Sequence, residues 1–379
     1  MPWWDQSRLR RARVMVVGAG ALGNEILKNL ALLGVGRVLV VDMDLVEASN
    51  LSRSVLFRPA DEGRPKAEVA ASRLGELNPD VECIGLRANV CTDLGLGVFR
   101  NVDVVIAGLD NREARLHINH ACWKVGRPWV DGAIEVLHGV ARVFVPPSGP
   151  CFECTLTAAD YRALSVRRSC LLLSRQELEA GRVPTTPTTS SVIAGIQVQE
   201  AVKLLHGREE LGSLIGRGFF FNGGTHDSYV IQYQVREDCP AHECFTSVEI
   251  LDGASDRWSL ADLLARARED LGPDAVLEFS LEMVTSFRCA ACDFVEEVFR
   301  PLLALRHTDA RCPGCGEVRI PEMVHAVHGG EGYLARTASE FGLPPGDIVT
   351  ARTGMQMRHY ELQADLRTLL PGWTDGQGG

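Results

Sequence analysis

Three glycines near the start of the chain are spaced like those of loops that hold phosphate groups. They form the pattern Gly18-x-Gly20-x-x-Gly23, after a short β-branched run and before leucines at helical spacing. Glycine lets the backbone approach a phosphate, and the N–H groups that open a helix favour negative charge. Asp42, 24 positions after Gly18, could bind ribose hydroxyls. These residues predict a nucleotide site that would suit NAD as well as ATP.

Polar side chains downstream of Asp42 distinguish between the two nucleotides. An amide, a guanidinium and an ammonium group follow at Asn50, Arg53 and Lys66. A triphosphate carries more negative charge than a dinucleotide pyrophosphate, and arginine and lysine are the residues that complement such charge. The sequence therefore favours ATP, with Arg53 and Lys66 as the groups that neutralise the reacting phosphates.

Eight of the twelve cysteines form two sets with the spacing of metal ligands. In a chain without an export signal, cysteines point to metal binding or catalysis before disulfides. Two pairs of thiolates that meet in space make a closed tetrahedral zinc site. The first set is Cys151 and Cys154 with Cys239 and Cys244; four residues separate the second pair, so that His242 is an alternative ligand.

The second set consists of two Cys-x-x-Cys pairs with 19 residues between them: Cys289, Cys292, Cys312 and Cys315. This spacing is typical of a zinc ribbon, here over residues 287–318, and two redox dithiols are the alternative. Arginines and acidic residues balance each other around the pairs. The ribbon is therefore predicted to be a scaffold or a protein contact and not a nucleic-acid binding site.

Cys170 lies in a different environment from the other cysteines. Five arginines and two glutamates occur from Tyr161 to Arg182, so that its surroundings are positive. Positive surroundings stabilise a thiolate and raise nucleophilicity at neutral pH. Cys170 is therefore the candidate nucleophile, and a buried structural cysteine is the alternative.

Three short runs that contain the polar residues resemble an enzyme superfamily. They span residues 49–53, 56–59 and 63–67 and read Ser-Asn-Leu-Ser-Arg, Leu-Phe-Arg-Pro and Gly-Arg-Pro-Lys-Ala. The chain thereby resembles the adenylating enzymes that activate ubiquitin and its relatives, together with the bacterial sulfur-carrier activators. The resemblance covers nearly the whole chain and is closest to the catalytic subunits of the activating enzymes for ubiquitin-like modifiers.

The resemblance implies a role for each polar residue of the nucleotide site. Asp42 would bind ribose, and Asn50, Arg53 and Lys66 would bind the phosphates of ATP. Asp110, within a Gly-Leu-Asp-Asn run, would coordinate Mg²⁺. Without the resemblance, Asp110 would be interpreted as a turn residue at the end of a strand.

The resemblance also implies roles for the cysteines and for a partner subunit. A zinc ion at the first set would tie a crossover segment, residues 155–190, to the end of the adenylation domain. Cys170, in that segment, would form a thioester with the modifier. An arginine of the partner subunit usually completes the ATP site; Arg8, Arg10 and Arg11 are candidates, with a solvated basic amino terminus as the alternative.

The carboxyl-terminal part, residues 245–365, resembles the ubiquitin-fold domain with which activating enzymes recruit a conjugating enzyme. The resemblance depends on residues 334–349, where a helical turn, a glycine turn and a final strand would close a β-grasp sheet. The zinc ribbon would be an insertion, which departs from the family pattern. A dimerisation or stability module is the alternative, and residues 366–379 are predicted to be a flexible tail.

Charge and composition argue against several other classes of protein. The chain has 379 residues, with 39 Lys or Arg against 49 Asp or Glu, so that the net charge is −10. This balance argues against nonspecific binding of nucleic acid or of a membrane surface. Hydrophobic residues make up 46%, which argues against disorder. No apolar run of about 18 residues and no signal-peptide core occur, so that we expect a cytoplasmic protein without a membrane span.

Strands and helices must alternate to place these residues. A strand at 13–17, a helix after the glycines and a strand at 38–41 begin this alternation. It predicts an α/β fold, a Rossmann-like doubly wound parallel sheet, for an adenylation domain of residues 1–244. Residues 155–190 look irregular before an apolar helix over 191–205, and a smaller α+β domain is predicted to follow.

Together these inferences predict an enzyme that uses ATP, Mg²⁺ and two structural Zn²⁺ ions to adenylate the carboxyl-terminal glycine of a ubiquitin-like modifier. The acyl group would pass to Cys170 and then to a conjugating enzyme, and the complete ATP set suits a homodimer. The main alternative is a sulfur-carrier adenylyltransferase that makes the adenylate without transfer to a thiol. A zinc-ribbon binding protein would not need the ATP ligands, and an NAD dehydrogenase would need a hydride-transfer constellation that is not visible.

Overall fold

A computed structural model of the chain describes residues 3–162, 185–208 and 211–363. The chain divides into two compact units, and the last sequence boundary between them falls after Cys244. Residues Cys91–Val98 group with the second unit, although their sequence lies within that of the first. Among the described residues, no helix has both the length and the apolar character that crossing a membrane requires.

Eight strands form the sheet of the first unit: β1 (Arg13–Val17), β2 (Arg37–Val41), β3 (Glu82–Leu86), β4 (Val104–Ala107), β5 (Trp129–Glu135), β6 (His138–Phe144), β7 (Arg217–Asn222) and β8 (Asp227–Gln232). They lie in the order β3-β2-β1-β4-β5-β6-β7-β8. Neighbours from β3 to β5 are parallel, as the alternation predicts. The predicted parallel arrangement does not extend to the rest of the sheet, because β6, β7 and β8 join as antiparallel neighbours. Short connections link β5 to β6 and β7 to β8, whereas a long segment of chain separates β6 from β7.

Among the residues that the structure describes, six helices lie before residue 245: α1 (Gln6–Arg11), α2 (Ala21–Leu33), α3 (Lys66–Leu77), α4 (Leu96–Arg100), α5 (Arg112–Lys124) and α6 (Pro187–His206). Apolar side chains of α2, α3 and α6 share one buried core with β1, β2 and β4. The central strands are rich in valine and almost wholly buried, because helices cover the sheet. This arrangement leaves the strand ends and the loops after them to carry the polar residues.

Helix α6 begins earlier than the sequence pattern predicts. The side chain of Thr186 accepts a hydrogen bond from the backbone N–H of Thr189, and Pro187 occupies the first turn. A threonine cap followed by proline is a helix start, because proline's missing N–H has no partner to lose there. The Thr/Pro-rich run at 184–190, predicted to be irregular, therefore contains the start of a helix of 20 residues.

From residue 245 to residue 363, the described part of the second unit forms the helix α7 and a six-stranded sheet: β9 (Glu249–Ala254), α7 (Leu260–Leu271), β10 (Val276–Arg288), β11 (Val295–Pro301), β12 (Ile320–Val327), β13 (Ile348–Thr353) and β14 (Gln356–Gln363). The strand order is β11-β10-β13-β14-β9, with β12 also paired to β10. Ser259 caps α7, because its side chain accepts a hydrogen bond from the N–H of Asp262. Leu260, Leu263 and Leu264 of this helix pack into the core that covers the sheet.

Candidate nucleotide and metal sites

The three glycines of the loop after β1 meet different surroundings. A Cβ atom on Gly23 would lie 1.9 Å from the carbonyl oxygen of Gly18, and one on Gly18 would lie 2.5 Å from that of Gly108. Gly18 also has a φ of 92°, which favours glycine. Gly20 has no atom within 4 Å of a Cβ position, and it caps α2 without a side-chain hydrogen bond. Gly18 and Gly23 are therefore needed for packing, and Gly20 borders the space where a phosphate could approach the helix.

Asp42 follows β2 and holds the glycine loop. Its Oδ2 accepts from the backbone N–H of Ala19 at 2.7 Å, and its Oδ1 accepts from that of Asp44 at 2.8 Å. Burial raises the pKa of this carboxyl above its ordinary value, while the positive charge of Lys66 opposes that rise. The predicted ribose ligand thus also orders the loop that would bind phosphate.

Asn24, in the first turns of α2, is a loop-ordering residue that the sequence analysis missed. The side chain is fully buried, and its amide nitrogen donates to the carbonyl oxygens of Ala19 and Gly20 at 2.7 and 3.0 Å. Its amide oxygen accepts from the N–H of Leu56 at 2.9 Å. Asn24 therefore joins the glycine loop to the chain that follows Arg53. The available signal was a polar residue on the apolar face of a helix.

The predicted phosphate ligands are held by local hydrogen bonds. Lys66 opens α3, and its Nζ donates to Asp44 Oδ2 at 2.9 Å. The Oδ1 of buried Asn50 accepts from the N–H of Glu47 at 3.0 Å. Arg53 donates to the carbonyl oxygen of Ser49. The structure thus brings Lys66 next to the Asp42–Asp44 turn, and holds Asn50 and Arg53 in the turns that follow it.

Asp110 lies in the loop between β4 and α5, and its side chain is exposed. The neighbouring Asn111 caps α5 by accepting from the N–H of Ala114 at 2.8 Å, so that Asp110 is not the capping residue. Because β1, β2 and β4 are parallel neighbours, the glycine loop, Asp42 and Asp110 all follow carboxyl ends of adjacent strands. An exposed carboxylate at this edge is a ligand type that suits Mg²⁺.

Four side chains of the first unit, which we call the first cluster, have the donor set of a zinc site: Cys151, Cys154, Cys239 and His242. Their ligand atoms all lie within 4.8 Å of one another. Cys151 Sγ is 3.8 Å from Cys154 Sγ and 3.5 Å from Cys239 Sγ. Sulfur ligands about 2.3 Å from a tetrahedral zinc ion stand about 3.8 Å apart. The geometry therefore fits zinc.

The predicted fourth ligand of this cluster, Cys244, is replaced by His242. His242 Nε2 lies 3.3 Å from Cys154 Sγ, and its ring stacks on Trp123 with 4.6 Å between ring centroids. Cys244 only packs against the margin of the cluster. The four residues between Cys239 and Cys244 make a longer turn than a Cys-x-x-Cys knuckle, and the histidine inside it comes to the ligand position.

Burial favours the neutral form of three of the four side chains in the first cluster. It raises the pKa of the Cys151 and Cys239 thiols and lowers the pKa of His242. The Asn119 amide opposes the rise at Cys151, and its buried nitrogen has no other partner among the described residues. A metal would convert the thiols to thiolates, which accept hydrogen bonds. Asn119, which the sequence analysis also missed, would then be satisfied.

The second unit contains the second cluster: Cys289, Cys292, Cys312 and Cys315. All four predicted ligands come together, with 3.5 Å between the sulfurs of Cys289 and Cys315 and 3.6 Å between those of Cys292 and Cys312. Burial opposes ionisation of Cys312, but the backbone N–H groups of Cys315 and Gly314 lower the pKa of that thiol to about 6. This donor set also fits zinc.

The predicted nucleophile, Cys170, lies outside the described residues, as do most of the crossover segment and residues 364–379.

One of the candidate partner arginines, Arg8, has partners in its own chain. It donates to the carbonyl oxygen of His206 at 2.8 Å and lies 3.7 Å from Asp5. Arg8 is therefore engaged within its own chain, at the start of α1 and at the end of α6.

A match to a protein family now adds to the fold and the site. Residues 4–241 match the model of the ThiF family, which covers more than half of the chain. The chain therefore belongs to the ThiF family. This membership confirms the resemblance to the superfamily of ubiquitin-activating and sulfur-carrier adenylating enzymes.

Several relatives are similar to part of this chain. The SAMP-activating enzyme E1 of Haloferax volcanii is 38% identical over 241 residues, which are 62% of this chain and 82% of that protein. The sulfur carrier protein adenylyltransferase of Thermus thermophilus is 44% identical over 154 residues, 39% of this chain and 57% of its own length. The NEDD8-activating enzyme E1 catalytic subunit of Arabidopsis thaliana is 41% identical, and the match spans 38% of this chain and 34% of that protein.

A solved structure shows the same fold. The crystal structure of E. coli MccB with ATP superposes with a TM-score of 0.52 at 19% identity, over 62% of this chain and 68% of that one. The similarity establishes the α/β Rossmann-like architecture.

Proposed function

We propose that this chain adenylates the carboxyl terminus of a small carrier or modifier protein. The observation that carries the proposal is the placement of the glycine loop, Asp42 and Asp110 after adjacent parallel strands, with Lys66 beside Asp42. The similar proteins of Haloferax, Thermus and Arabidopsis are named as activating enzymes or adenylyltransferases, which supports this reaction class.

Each residue of the site has its own role in the first step, the formation of the adenylate. The open backbone at Gly20 receives phosphate at the helix start, Asp42 binds the ribose, and Asn50, Arg53 and Lys66 hold the phosphates. A bound Mg²⁺, held by Asp110, would supply further neutralisation of the phosphate charge. A carboxylate oxygen of the carrier attacks the α-phosphorus, the bond to pyrophosphate breaks, and pyrophosphate leaves with its charge. The carboxylate is already a nucleophile, so that charge neutralisation matters more than a base.

The Lys66–Asp44 ion pair keeps the ammonium group beside the site. The side chain of Lys66 is 11% exposed and that of Asp44 is 55% exposed. A phosphate that binds here can therefore replace Asp44 as the partner of Lys66, because water can solvate the released Asp44 carboxylate.

The outer edge of the large sheet supports a protein as the substrate. Strand β8 is exposed along its whole length and has no further strand neighbour among the described residues. Tyr229 and Val230 are more than half exposed. Exposed apolar strands at a sheet edge are places where another protein can pair or pack.

The first test is ATP–pyrophosphate exchange with candidate carriers that end in glycine. Lys66→Ala and Asp110→Ala should abolish carrier-dependent exchange, because each removes charge compensation at the phosphates, while circular dichroism stays unchanged. Arg112→Ala is a matched control, because this exposed arginine lies at the same loop-to-helix junction as Asp110 and pairs with Asp160. Exchange at the wild-type rate in Lys66→Ala or Asp110→Ala would contradict the proposal.

The fate of the adenylate separates two versions of the function. In the first version, the Cys170 thiolate takes the acyl group, AMP leaves, and a conjugating enzyme docked on the second unit accepts the acyl group. The resemblance of residues 334–349 to a ubiquitin-fold domain supports this version. In the second version, the chain is a sulfur-carrier adenylyltransferase without transfer to Cys170. The relatives named as sulfur-carrier adenylyltransferases, from Thermus and from Bacillus subtilis, support it.

Non-reducing electrophoresis with the carrier and ATP distinguishes the versions. In the first, wild type forms a thiol-sensitive adduct, Cys170→Ala loses it but keeps pyrophosphate exchange, and Cys170→Ser gives an adduct that resists thiols. Cys83→Ala is the control, because burial raises the pKa of that thiol to about 12 and keeps it unreactive. Exchange without any adduct in wild type favours the sulfur-carrier version.

The second unit is proposed to be a ubiquitin-fold domain with an inserted zinc ribbon. Its helix α7 packs on a mixed sheet in which the first strand, β9, and the last strand, β14, are parallel neighbours. The second cluster lies on the connections around β10, β11 and β12, as expected for an insertion. We further propose a homodimer, with zinc in both clusters, and no nucleic-acid partner.

A further inference from the structure

The loop that carries Asp110 is attached to the sheet by one buried arginine. Arg115, on α5, donates through Nη2 to the carbonyl oxygen of Leu109, the residue directly before Asp110. The same nitrogen donates to the carbonyl oxygen of Gly132 at 3.0 Å, and Nε donates to Asp131 Oδ1 at 2.9 Å. One guanidinium therefore links the end of β4 to the middle of β5.

Asp131 is fully buried and lies between two arginines. Arg142, on β6, approaches its Oδ2 at 2.6 Å from the side opposite Arg115. Burial alone would raise the pKa of Asp131, but Arg142 and Arg115 outweigh it and hold that pKa below its ordinary value. The carboxylate is thus charged and satisfied on both oxygens, and it fixes the orientation of the Arg115 fork.

A buried cluster of three charges is a costly way to hold a fold together. Apolar residues of similar volume often stabilise as much or more, because charges must be removed from water. The planar guanidinium can do what an apolar residue cannot: it binds a carboxylate and two carbonyl oxygens in one fixed geometry. The contact of Arg115 with Leu109 indicates a role at the neighbouring residue, Asp110.

We propose that Arg115 is a positioning residue that sets the Asp110 carboxylate for binding a divalent cation. The role is an extension of the proposed function, because it concerns the cation that accompanies ATP. Residues that orient a metal ligand without touching the metal commonly change metal affinity by about 10-fold or more when altered. Arg115, Asp131 and Arg142 would form such a support for Asp110.

The test measures cation binding directly. Mn²⁺ is titrated into the full-length protein, with and without ATP, and followed by calorimetry. Arg115→Lys keeps a charge near Asp131 but loses the planar link to Leu109. It should raise the half-saturating Mn²⁺ concentration by about 10-fold, while ATP affinity in the presence of EDTA changes less than about twofold. Arg112→Lys, the same substitution on the same helix, should leave the Mn²⁺ titration unchanged.

Hydrogen exchange of the ligand-free protein supplies a second readout. In Arg115→Lys, amides of residues 108–111 should exchange faster, with the rest of the first unit as protected as in wild type. If Arg115→Lys does not fold, Arg142→Lys decides, because it loosens Asp131 without touching the loop and should shift the Mn²⁺ titration in the same direction by less.

The outcomes separate this proposal from the proposed function. Unchanged Mn²⁺ titrations in Arg115→Lys, or in Arg142→Lys where it must decide, overturn the positioning role. If wild type binds Mn²⁺ but not ATP, the proposed function fails, and the Arg115 effect on Mn²⁺ still decides the positioning role. If wild type binds neither, both are overturned.

Discussion

The two cysteine clusters have similar donor atoms and different support. Helix α5 contributes to the first cluster through Trp123, which stacks on His242, and through Asn119, which accepts from the backbone N–H of Phe152 between two of the ligands. The second cluster is ordered by backbone N–H groups of its own turns, and two of its four cysteines are exposed. The first cluster is packed against a helix of its unit in a small buried group of its own, whereas the second is a self-contained knuckle on a sheet.

Because of this difference, the loss of the metal ion should destabilise more of the structure at one cluster than at the other. Metal binding at a structural zinc site contributes directly to folding free energy. Where a helix and two loops distant in sequence are held together at the cluster, the loss of stability should extend through the unit. Where only two turns depend on it, the loss should stay local.

The largest effect is expected for Cys151→Ser. Serine is a poor zinc ligand, and structural zinc contributes on the order of 10 kcal/mol in small domains. The variant should contain one metal ion per chain instead of two and lose the adenylation reaction together with the calorimetric transition of the first unit. Cys244→Ser is the control and should keep both ions, because His242 occupies the ligand position. If Cys244→Ser contained only one metal ion per chain, Cys244 would have to be a ligand of the first cluster.

An intermediate effect is expected for Cys289→Ser. The second metal ion should be lost and the thermal transition of the second unit lowered, since only the knuckle depends on that ion. Pyrophosphate exchange should remain near the wild-type rate, because every proposed ATP ligand lies in the first unit. Metal analysis, calorimetry and the exchange assay on one preparation check this. Loss of exchange in this variant would remove the contrast between the clusters.

The smallest effect is expected for Trp123→Leu, which removes the stacking surface under His242. The cavity should cost about 2 kcal/mol of unfolding free energy, and metal affinity of the first cluster should fall by about 10-fold. Competition with a chromophoric chelator measures the affinity. Trp258→Leu, which alters a half-buried side chain packed against the core of the second unit, is the control and should leave the first cluster's affinity unchanged. Equal affinities in wild type and Trp123→Leu would show that the ring does not orient His242.

Local patterns were enough to predict the parallel half of the large sheet and the capped helix α7. Strand β1, with its β-branched run, and Ser259, with its acidic partner three residues on, act over a few residues, so that the sequence shows both directly. The same holds for the two Cys-x-x-Cys pairs of the second cluster, because the spacing within each pair brings its two sulfurs close together. The start of α6 was also visible in Thr186 and Pro187, and was missed because the surrounding run is rich in turn residues.

The remaining features depend on residues that are distant in sequence. Asn24 meets Leu56, Arg115 meets Asp131, and His242 meets Trp123, and none of these pairs follows from periodicity. The addition of β6, β7 and β8 as antiparallel neighbours depends on which sheet edge is open once β5 is in place. Such choices are made by packing across the whole unit, so that a single sequence read along its length does not reveal them.

The open surroundings of Gly20 have a practical consequence. A methyl group fits there without moving a neighbouring atom, and the backbone φ of −74° is one that alanine adopts readily. A Gly20→Ala chain would therefore remain folded while its new methyl group stands where the helix start would receive phosphate. Under the proposed function, such a chain would recruit the carrier without consuming it. Mixed with wild type in the proposed homodimer, it would reveal whether two active centres work independently or take turns.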